Sequence, residues 1–210
     1  MRILLTAGPT WEPIDAVRYI GNRSSGKLGL AVARAAVEAG HTITLLLGPG
    51  VTPPEVNDKL TVHRFESAAD MQALLETHFP EHDVLVMAAA VADYRPARRI
   101  EGKLARQEGG RLTIELEPTP DIVAALAQRK RPEQKASAFA LEEPTTLRQR
   151  AAAKMRRKGV DAIVANPLGT MGADDIEPTW LSVDGGAESP GKMSKPAFAR
   201  WLMGRIERMT

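Results

Sequence analysis

The residues best suited to chemistry in this 210-residue sequence gather near its amino terminus. An apolar run ending at Thr6 and a helical pattern beginning near Ser25 are separated by about 18 residues, where such connections usually take two to six. A loop of that length needs a task. It carries Gly8, Arg18 and Asn22, and it ends in Ser24-Ser25-Gly26-Lys27 at the start of the helix. Small hydroxyls, a glycine and a lysine at that place make a natural anion site, because free backbone N–H groups and the helix dipole both favour phosphate. Two nucleotide motifs are tested and fail. Gly21 to Lys27 fits G-x-x-x-x-G-K, but Leu28 stands where a Walker A loop needs Ser or Thr, and no strand directly precedes it. The dinucleotide fingerprint is also missing, and Leu47-Gly48-Pro49 supplies no acid for a ribose. Close helix–sheet packing stays open as the alternative reason for Gly26 and Gly29.

A second set of candidates is cationic. Between Glu143 and Lys158 stand Arg148, Arg150, Lys154, Arg156, Arg157 and Lys158 against one acid, and Lys154 and Lys158 share one helical face. A solvated basic face is the alternative reading. Asp93 follows an apolar strand over Asp83–Ala90 at its carboxyl end, where ligands sit in open parallel sheets; a turn-forming Asp is the plain alternative. His41, His63, His78 and His82 are scattered at element edges without ligand spacing, so surface or edge positions explain them and no transition-metal site is expected.

These side chains must be positioned by an α/β framework. Strands are expected at Arg2–Thr6, Thr42–Leu47, Leu60–Arg64 and Asp83–Ala90, with helices at Ser25–Ala39 and Ser67–His78, the latter capped by Ser67. Strand and helix in alternation imply right-handed crossovers and a parallel sheet. From Tyr94 to Arg111 the pattern lapses into a basic, glycine-containing loop or flap. Beyond it, Leu112–Leu116, Lys135–Leu141, Asp161–Ala165 and Glu177–Val183 read as strands. Pro120–Arg129, Leu147–Lys158 and Ser194–Arg208 read as helices, the last with Phe198, Leu202 and Ile206 on its apolar face. No repeat or low-complexity linker appears, so residues 1–210 are expected to form one domain. The fold class is a doubly wound, mostly parallel, Rossmann-like sheet with helices on both faces.

Composition narrows the chemistry. With no cysteine there is no disulfide framework, thiolate metal site or catalytic thiol. The longest apolar runs reach about half of the ~20 residues of a membrane helix. A soluble, untargeted, cytoplasmic protein is expected, with no membrane partner. A formal charge of +2 does not by itself make a nucleic-acid binder.

The string T-A-G-P-T-x-E-P-I-D-x-V-R-Y-I-x-N-R-S-S-G-K-L-G, with A-A-A-V-A-D-Y-R-P at 88–96, resembles phosphopantothenoylcysteine synthetase, the ligase half of the bifunctional coenzyme A biosynthesis flavoprotein family. Lys103-Leu104-Ala105-Arg106 stands where that family has a K-x-K-K flap, Phe139-Ala140-Leu141-Glu142 resembles G-F-A-x-E, and Val164-Ala165-Asn166 resembles V-A-N-D. The match spans nearly the whole chain, including the final Ser194-Lys195 helix. The flavin-dependent decarboxylase half has no counterpart, so a stand-alone synthetase without flavin is expected.

The resemblance implies joining of 4′-phosphopantothenate to L-cysteine, driven by CTP with Mg2+, through an acyl-cytidylate that releases pyrophosphate and then CMP. Neither half needs a protein nucleophile, so positioning and charge neutralisation carry the catalysis. By the same resemblance Lys154 and Lys158 hold the triphosphate, Lys103 closes over the site, and Asp93, Ala89, Ala90 and Phe139 form the nucleotide site. Asn22 handles the intermediate. Arg18 meets the substrate's phosphate or carboxylate, beside Gly8, Ser24, Ser25, Gly26 and Lys27. The family also implies a homodimer with a small dimerisation sub-structure. Metal ligands and the cysteine pocket are not read from it.

Three departures bear on rate and nucleotide preference: Trp11 in place of Arg, Ala105-Arg106 in place of two lysines, and Pro167 in place of Asp. Two rivals remain. An NAD(P)-dependent reductase of doubly wound fold is disfavoured by the missing fingerprint. A nucleic-acid-binding module is disfavoured by the two Tyr and four Phe available for stacking. Small-molecule substrates, and no nucleic acid, are therefore expected as partners.

Overall fold

In the computed structural model, which describes residues 1–105 and 110–210, one eight-stranded sheet organises the chain. The elements in order are β1 (Arg2–Ala7), β2 (Trp11–Pro13), β3 (Tyr19–Gly21), α1 (Lys27–Glu38), β4 (Thr42–Leu47), β5 (Leu60–Arg64), α2 (Ala68–His78) and β6 (Val84–Met87). There follow β7 (Tyr94–Pro96), β8 (Leu116–Pro118), α3 (Ile122–Ala127), β9 (Lys135–Glu142), α4 (Leu147–Lys158) and β10 (Ala162–Pro167). The chain closes with β11 (Asp175–Ile176), β12 (Thr179–Ser182), β13 (Ala187–Glu188), β14 (Met193–Ser194) and α5 (Lys195–Glu207).

The sheet runs β13-β12-β10-β9-β6-β1-β4-β5, parallel from β10 to β5 and antiparallel at β12 and β13. β1, β4, β6 and β10 are mostly apolar and buried along nearly their whole length because helices cover both faces. Val32, Ala36, Phe198 and Leu202 of α1 and α5 fill one layer with Ile3, Ile43 and Val86. Met71, Leu75, Leu126, Ala151 and Met155 of α2, α3 and α4 fill the other with Leu4, Leu46 and Leu85. The chain runs outward from β1 through β4 to β5, then returns to start the other half at β6. The β1/β6 boundary is therefore the topological switch, where such sheets open a crevice at their carboxyl ends.

The sequence-predicted strands and helices are present, with altered limits. The strand expected over Asp83–Ala90 stops at Met87, because Ala88–Ala90 leave the sheet toward the switch. The strand expected at Leu112–Leu116 is displaced to Leu116–Pro118, where it pairs with β7. The long first loop is not irregular throughout, since β2 and β3 form an antiparallel hairpin. His82 is buried; its Nδ1–H donates to the His78 carbonyl (2.6 Å) and its Nε2 meets Thr44 Oγ1 (2.8 Å), while His63 packs on His78 at 4.5 Å between ring centroids. Of the surface or edge positions expected for the histidines, His82 thus takes a buried edge between α2 and β6. Among the described residues no helix is long and apolar enough to cross a membrane.

Candidate functional site

A cleft of about 440 Å³ opens at the switch. Its first wall is the segment from Asn22 to Gly29, which enters α1. Gly26 caps this helix with φ of 70°, and no side chain caps it. A Cβ on Gly29 would lie 2.4 Å from Ala7 Cβ, so only glycine lets the helix start lie against β1. Close packing is thus reason enough for Gly29, and the same approach brings the free N–H groups of the helix start to the strand end.

The second wall is Met87 to Asp93, which crosses the end of β6. Buried hydroxyls hold it: Ala89 N–H donates to Thr6 Oγ1 (3.0 Å) and Ala92 N–H donates to Thr10 Oγ1 (3.0 Å). Ala90 N–H donates to the Gly8 carbonyl (2.9 Å), and Asn22 Nδ2 donates to the Ala90 carbonyl (3.0 Å), which ties the two walls together. The far side is built by Phe139, Val123, Lys154 and Lys158, and the rim by Thr170–Gly172 and Lys195. Phe139 is half-buried and meets Phe198 edge to face at 6.5 Å, so it serves the core and the cleft at once.

Of the side chains singled out in the sequence, Asn22, Ser24, Ser25, Gly26, Lys27, Ala89, Ala90, Asp93, Phe139, Lys154 and Lys158 come together on this cleft. Gly8 lies behind it as a backbone support. Arg18 and Lys103 do not line it. Arg18 pairs with Asp15 at 3.1 Å and donates to the Leu104 carbonyl at 2.6 Å. Lys103 is exposed in the flap, next to Leu104, whose N–H donates to Asp15 Oδ2 (3.1 Å). Of that flap, Arg106 lies outside the described residues.

Several contributors had no role in the sequence reading. Asp15 is buried and accepts from the N–H groups of Val17 and Arg18, both at 2.8 Å, and of Leu104. These bonds, that of Val17 first, hold its carboxyl below the ordinary value of 3.8. Glu12 is buried and accepts from Ala68 N–H (3.0 Å), anchoring the hairpin to the start of α2. The cleft lysines carry carboxylates from other elements. Lys27 meets Asp174 at 2.7 Å, Lys154 meets buried Glu142 at 2.6 Å, and Lys158 meets Asp121 at 2.7 Å. Lys195, buried at 7% exposure, and Asn166, buried with no partner for Oδ1, complete the lining. Their only signal in the sequence was position within the quoted motifs.

A doubly wound α/β sheet with a cationic cleft at its switch point is a framework suited to anionic small molecules. The chain belongs to the family described as the DNA/pantothenate metabolism flavoprotein C-terminal domain, whose model matches residues 1–209. The coenzyme A biosynthesis bifunctional protein CoaBC of Mycobacterium tuberculosis is 41% identical over 200 residues, covering 90% of this chain and 47% of that protein. CoaBC of Escherichia coli is 40% identical over 174 residues, 80% of this chain and 41% of that one. A prokaryotic protein named cysteine/cysteine sulfinic acid decarboxylase is 42% identical over 172 residues, 82% and 47% of the two chains. The chain thus spans about half the length of the curated relatives it matches. Among solved structures, the C-terminal domain of CoaBC superposes with a TM-score of 0.83 at 37% identity, over 99% of this chain and 94% of that one. The DNA/pantothenate metabolism flavoprotein of Streptococcus pneumoniae, at 22% identity, shares the fold with a TM-score of 0.88 over both whole chains.

Proposed function

We propose that this chain is a ligase of coenzyme A biosynthesis that joins 4′-phosphopantothenate to L-cysteine, with CTP as the activating nucleotide. The observation that carries the reading is the meeting of two phosphate-binding devices on one cleft: the uncapped start of α1, and the lysine face of α4. A phosphorylated acid and a nucleoside triphosphate need two such seats facing one reaction centre. The name of the CoaBC relatives agrees with this chemistry.

In the first step a carboxylate oxygen of phosphopantothenate attacks the α-phosphorus and pyrophosphate leaves. In the second, the cysteine amine attacks the acyl carbon, loses a proton, and CMP leaves. Lys154 and Lys158 neutralise the triphosphate, exchanging Glu142 and Asp121 for phosphate oxygens. Ser24, Ser25, Gly26 and Lys27 hold a second phosphate. Ala89 and Ala90, with no side chain beyond Cβ, admit the nucleotide beside Phe139 and Asp93. Asn22 donates to the intermediate without reacting with it. Lys103 and Arg18 stand beside the cleft without lining it, and the reading gives them the charge of the reacting groups to offset, while Gly8 supports the loop that Ala90 belongs to. Among the described residues no group of three His, Asp or Glu side chains could cage a metal. Mg2+ is held in such sites by substrate phosphates with one or two carboxylates, and Asp93, on the cleft, would be one. When bound, Mg2+ offsets phosphate charge.

The test is pyrophosphate release with phosphopantothenate, cysteine and each of CTP, ATP, GTP and UTP. Release with CTP above the others is expected; no release with any of them overturns the reading. Lys103→Gln is expected to keep nucleotide affinity while turnover falls by at least about tenfold. This reading also seats a second copy of the chain on the exposed hairpins β2–β3 and β7–β8.

A further inference from the structure

Four lysines line the cleft, and three have a carboxylate on their ammonium: Lys27 with Asp174, Lys154 with Glu142, Lys158 with Asp121. Lys195 differs. It is the first residue of α5, is 7% exposed, and among the described residues has no carboxylate within 4.0 Å. Its Nζ donates to the backbone carbonyl of Ala173. Burial, then the nearby Lys27 ammonium, lowers its pKa against the weaker opposing pull of Asp174. An ammonium taken out of water with only a carbonyl for company is unfavourable until an anion joins it.

The space before it is lined by the start of α1, which has no side-chain cap and no acidic residue in its first turn. Asn166, 5% exposed and on the same cleft, has an amide oxygen with no partner. Two donor features from two elements, the uncapped start of α1 and the buried Lys195 ammonium, thus meet one cavity without a carboxylate on Lys195 among the described residues, while Asn166 Oδ1, an acceptor, is open to a donor of the ligand and not to its phosphate.

We propose that Lys195 is a substrate-binding residue that holds a phosphate group against the start of α1. A row of amide N–H groups with an ammonium beside it matches a tetrahedral oxyanion, which has an oxygen for each donor. Lys27 then stands on the outer side of the same anion, and Asp174, its partner at 2.7 Å, is the carboxylate the phosphate displaces. The inference rests on the ligase reading for which molecule brings the phosphate. Two substrates of that reaction do: phosphopantothenate by its monoester, and CTP by its chain.

The experiment measures affinities by calorimetry for two pairs, phosphopantothenate against pantothenate and CTP against cytidine, in the wild type and in Lys195→Met and Lys195→Arg. In one pair, the gain in affinity conferred by phosphate is expected to shrink at least about tenfold in Lys195→Met, with the phosphate-free member unchanged and Lys195→Arg retaining most of the gain. The affected pair identifies the source. If both pairs keep their full gain in Lys195→Met, the proposal is overturned. A measurement on the unaltered protein guards against a variant that fails to fold. Acetylation of Lys195 by acetic anhydride, followed by peptide mass spectrometry, is expected to slow several-fold with a phosphorylated ligand and not with its phosphate-free partner. Equal rates overturn the proposal. Loss of the phosphate gain in a protein that releases no pyrophosphate with any nucleotide would sink the ligase and leave Lys195 in place.

Discussion

Asn22 is the side chain on which the two walls of the cleft meet, through Nδ2 and the Ala90 carbonyl at 3.0 Å. Asn22→Asp turns that donor into an acceptor facing an oxygen, and places a negative charge where a carboxylate and a phosphate must approach. Product formation is expected to fall by at least about 100-fold. The melting temperature should stay within a few degrees, because the residue is exposed. Unchanged product formation in a steady-state assay would remove Asn22 from the site. Such residues were legible in the sequence because their meaning is local. Ser24 to Lys27 announce a helix start, and Lys154 and Lys158 share a face by spacing alone. Their counter-charges were not legible, because each depends on a fold-level contact. Lys27 and Asp174 are 147 positions apart, and nothing in either neighbourhood points to the other.

Elements are set in place by close approach and by buried carboxylates. In Gly29→Ala the new methyl would sit 2.4 Å from Ala7 Cβ and 3.1 Å from Ala7 Cα, so α1 must move off β1 or the strand must shift. Overpacking of this kind costs about 1–3 kcal/mol, and a thermal melt should show it together with weaker phosphate binding. A melt equal to that of the wild type would mean that α1 is not pressed on the strand. Asp15 does the corresponding work for the flap, whose backbone also meets the hairpin turn through Ala16 N–H to the Gly102 carbonyl (2.9 Å). In Asp15→Asn the amides of Val17, Arg18 and Leu104 lose a charged acceptor, and their hydrogen exchange is expected to quicken at least about tenfold at neutral pH. Because the folded carboxyl titrates below its ordinary 3.8, its stabilisation is full above that value and is lost as pH falls through the folded pKa. The contrast between variant and wild type should therefore shrink on acidification. Core elements such as the Ser67-capped α2, whose capping box closes with Asp70, follow from local pattern. The displaced β8 shows where pattern fails. Leu112, at 58% exposure, and Leu116, at 42%, alternate like strand residues, yet no core face lies beneath them to fix a register.

At the scale of the whole molecule, the doubly wound sheet followed from alternating strands and helices, whereas the surface beyond it did not, because an apolar residue looks the same in a sequence whether it is buried or exposed. The two hairpins touch through β2 and β7 and present Val17, Tyr19, Tyr94 and Leu116, which are 61%, 46%, 54% and 42% exposed. Tyr19 is stiffened by stacking on Trp11, with ring centroids 4.0 Å apart. Rigid aromatic rings among aliphatic side chains, on a face with no covering element among the described residues, are what a protein–protein contact uses. A second copy fits it on charge as well, since a net +2 sets up little repulsion between identical chains. Sedimentation equilibrium at micromolar concentration is therefore expected to give twice the chain mass of 22.7 kDa. The double substitution Val17→Glu with Tyr94→Glu buries like charges against each other at such a contact and should return the mass to that of one chain. Both changes lie at exposed positions, so the thermal melt of the separated chain should change by only a few degrees. A wild type that sediments as one chain, or a double variant that stays paired, would move the contact away from the hairpins. The flap, tied to the same hairpin by Asp15, would then be free of any constraint from a neighbouring copy.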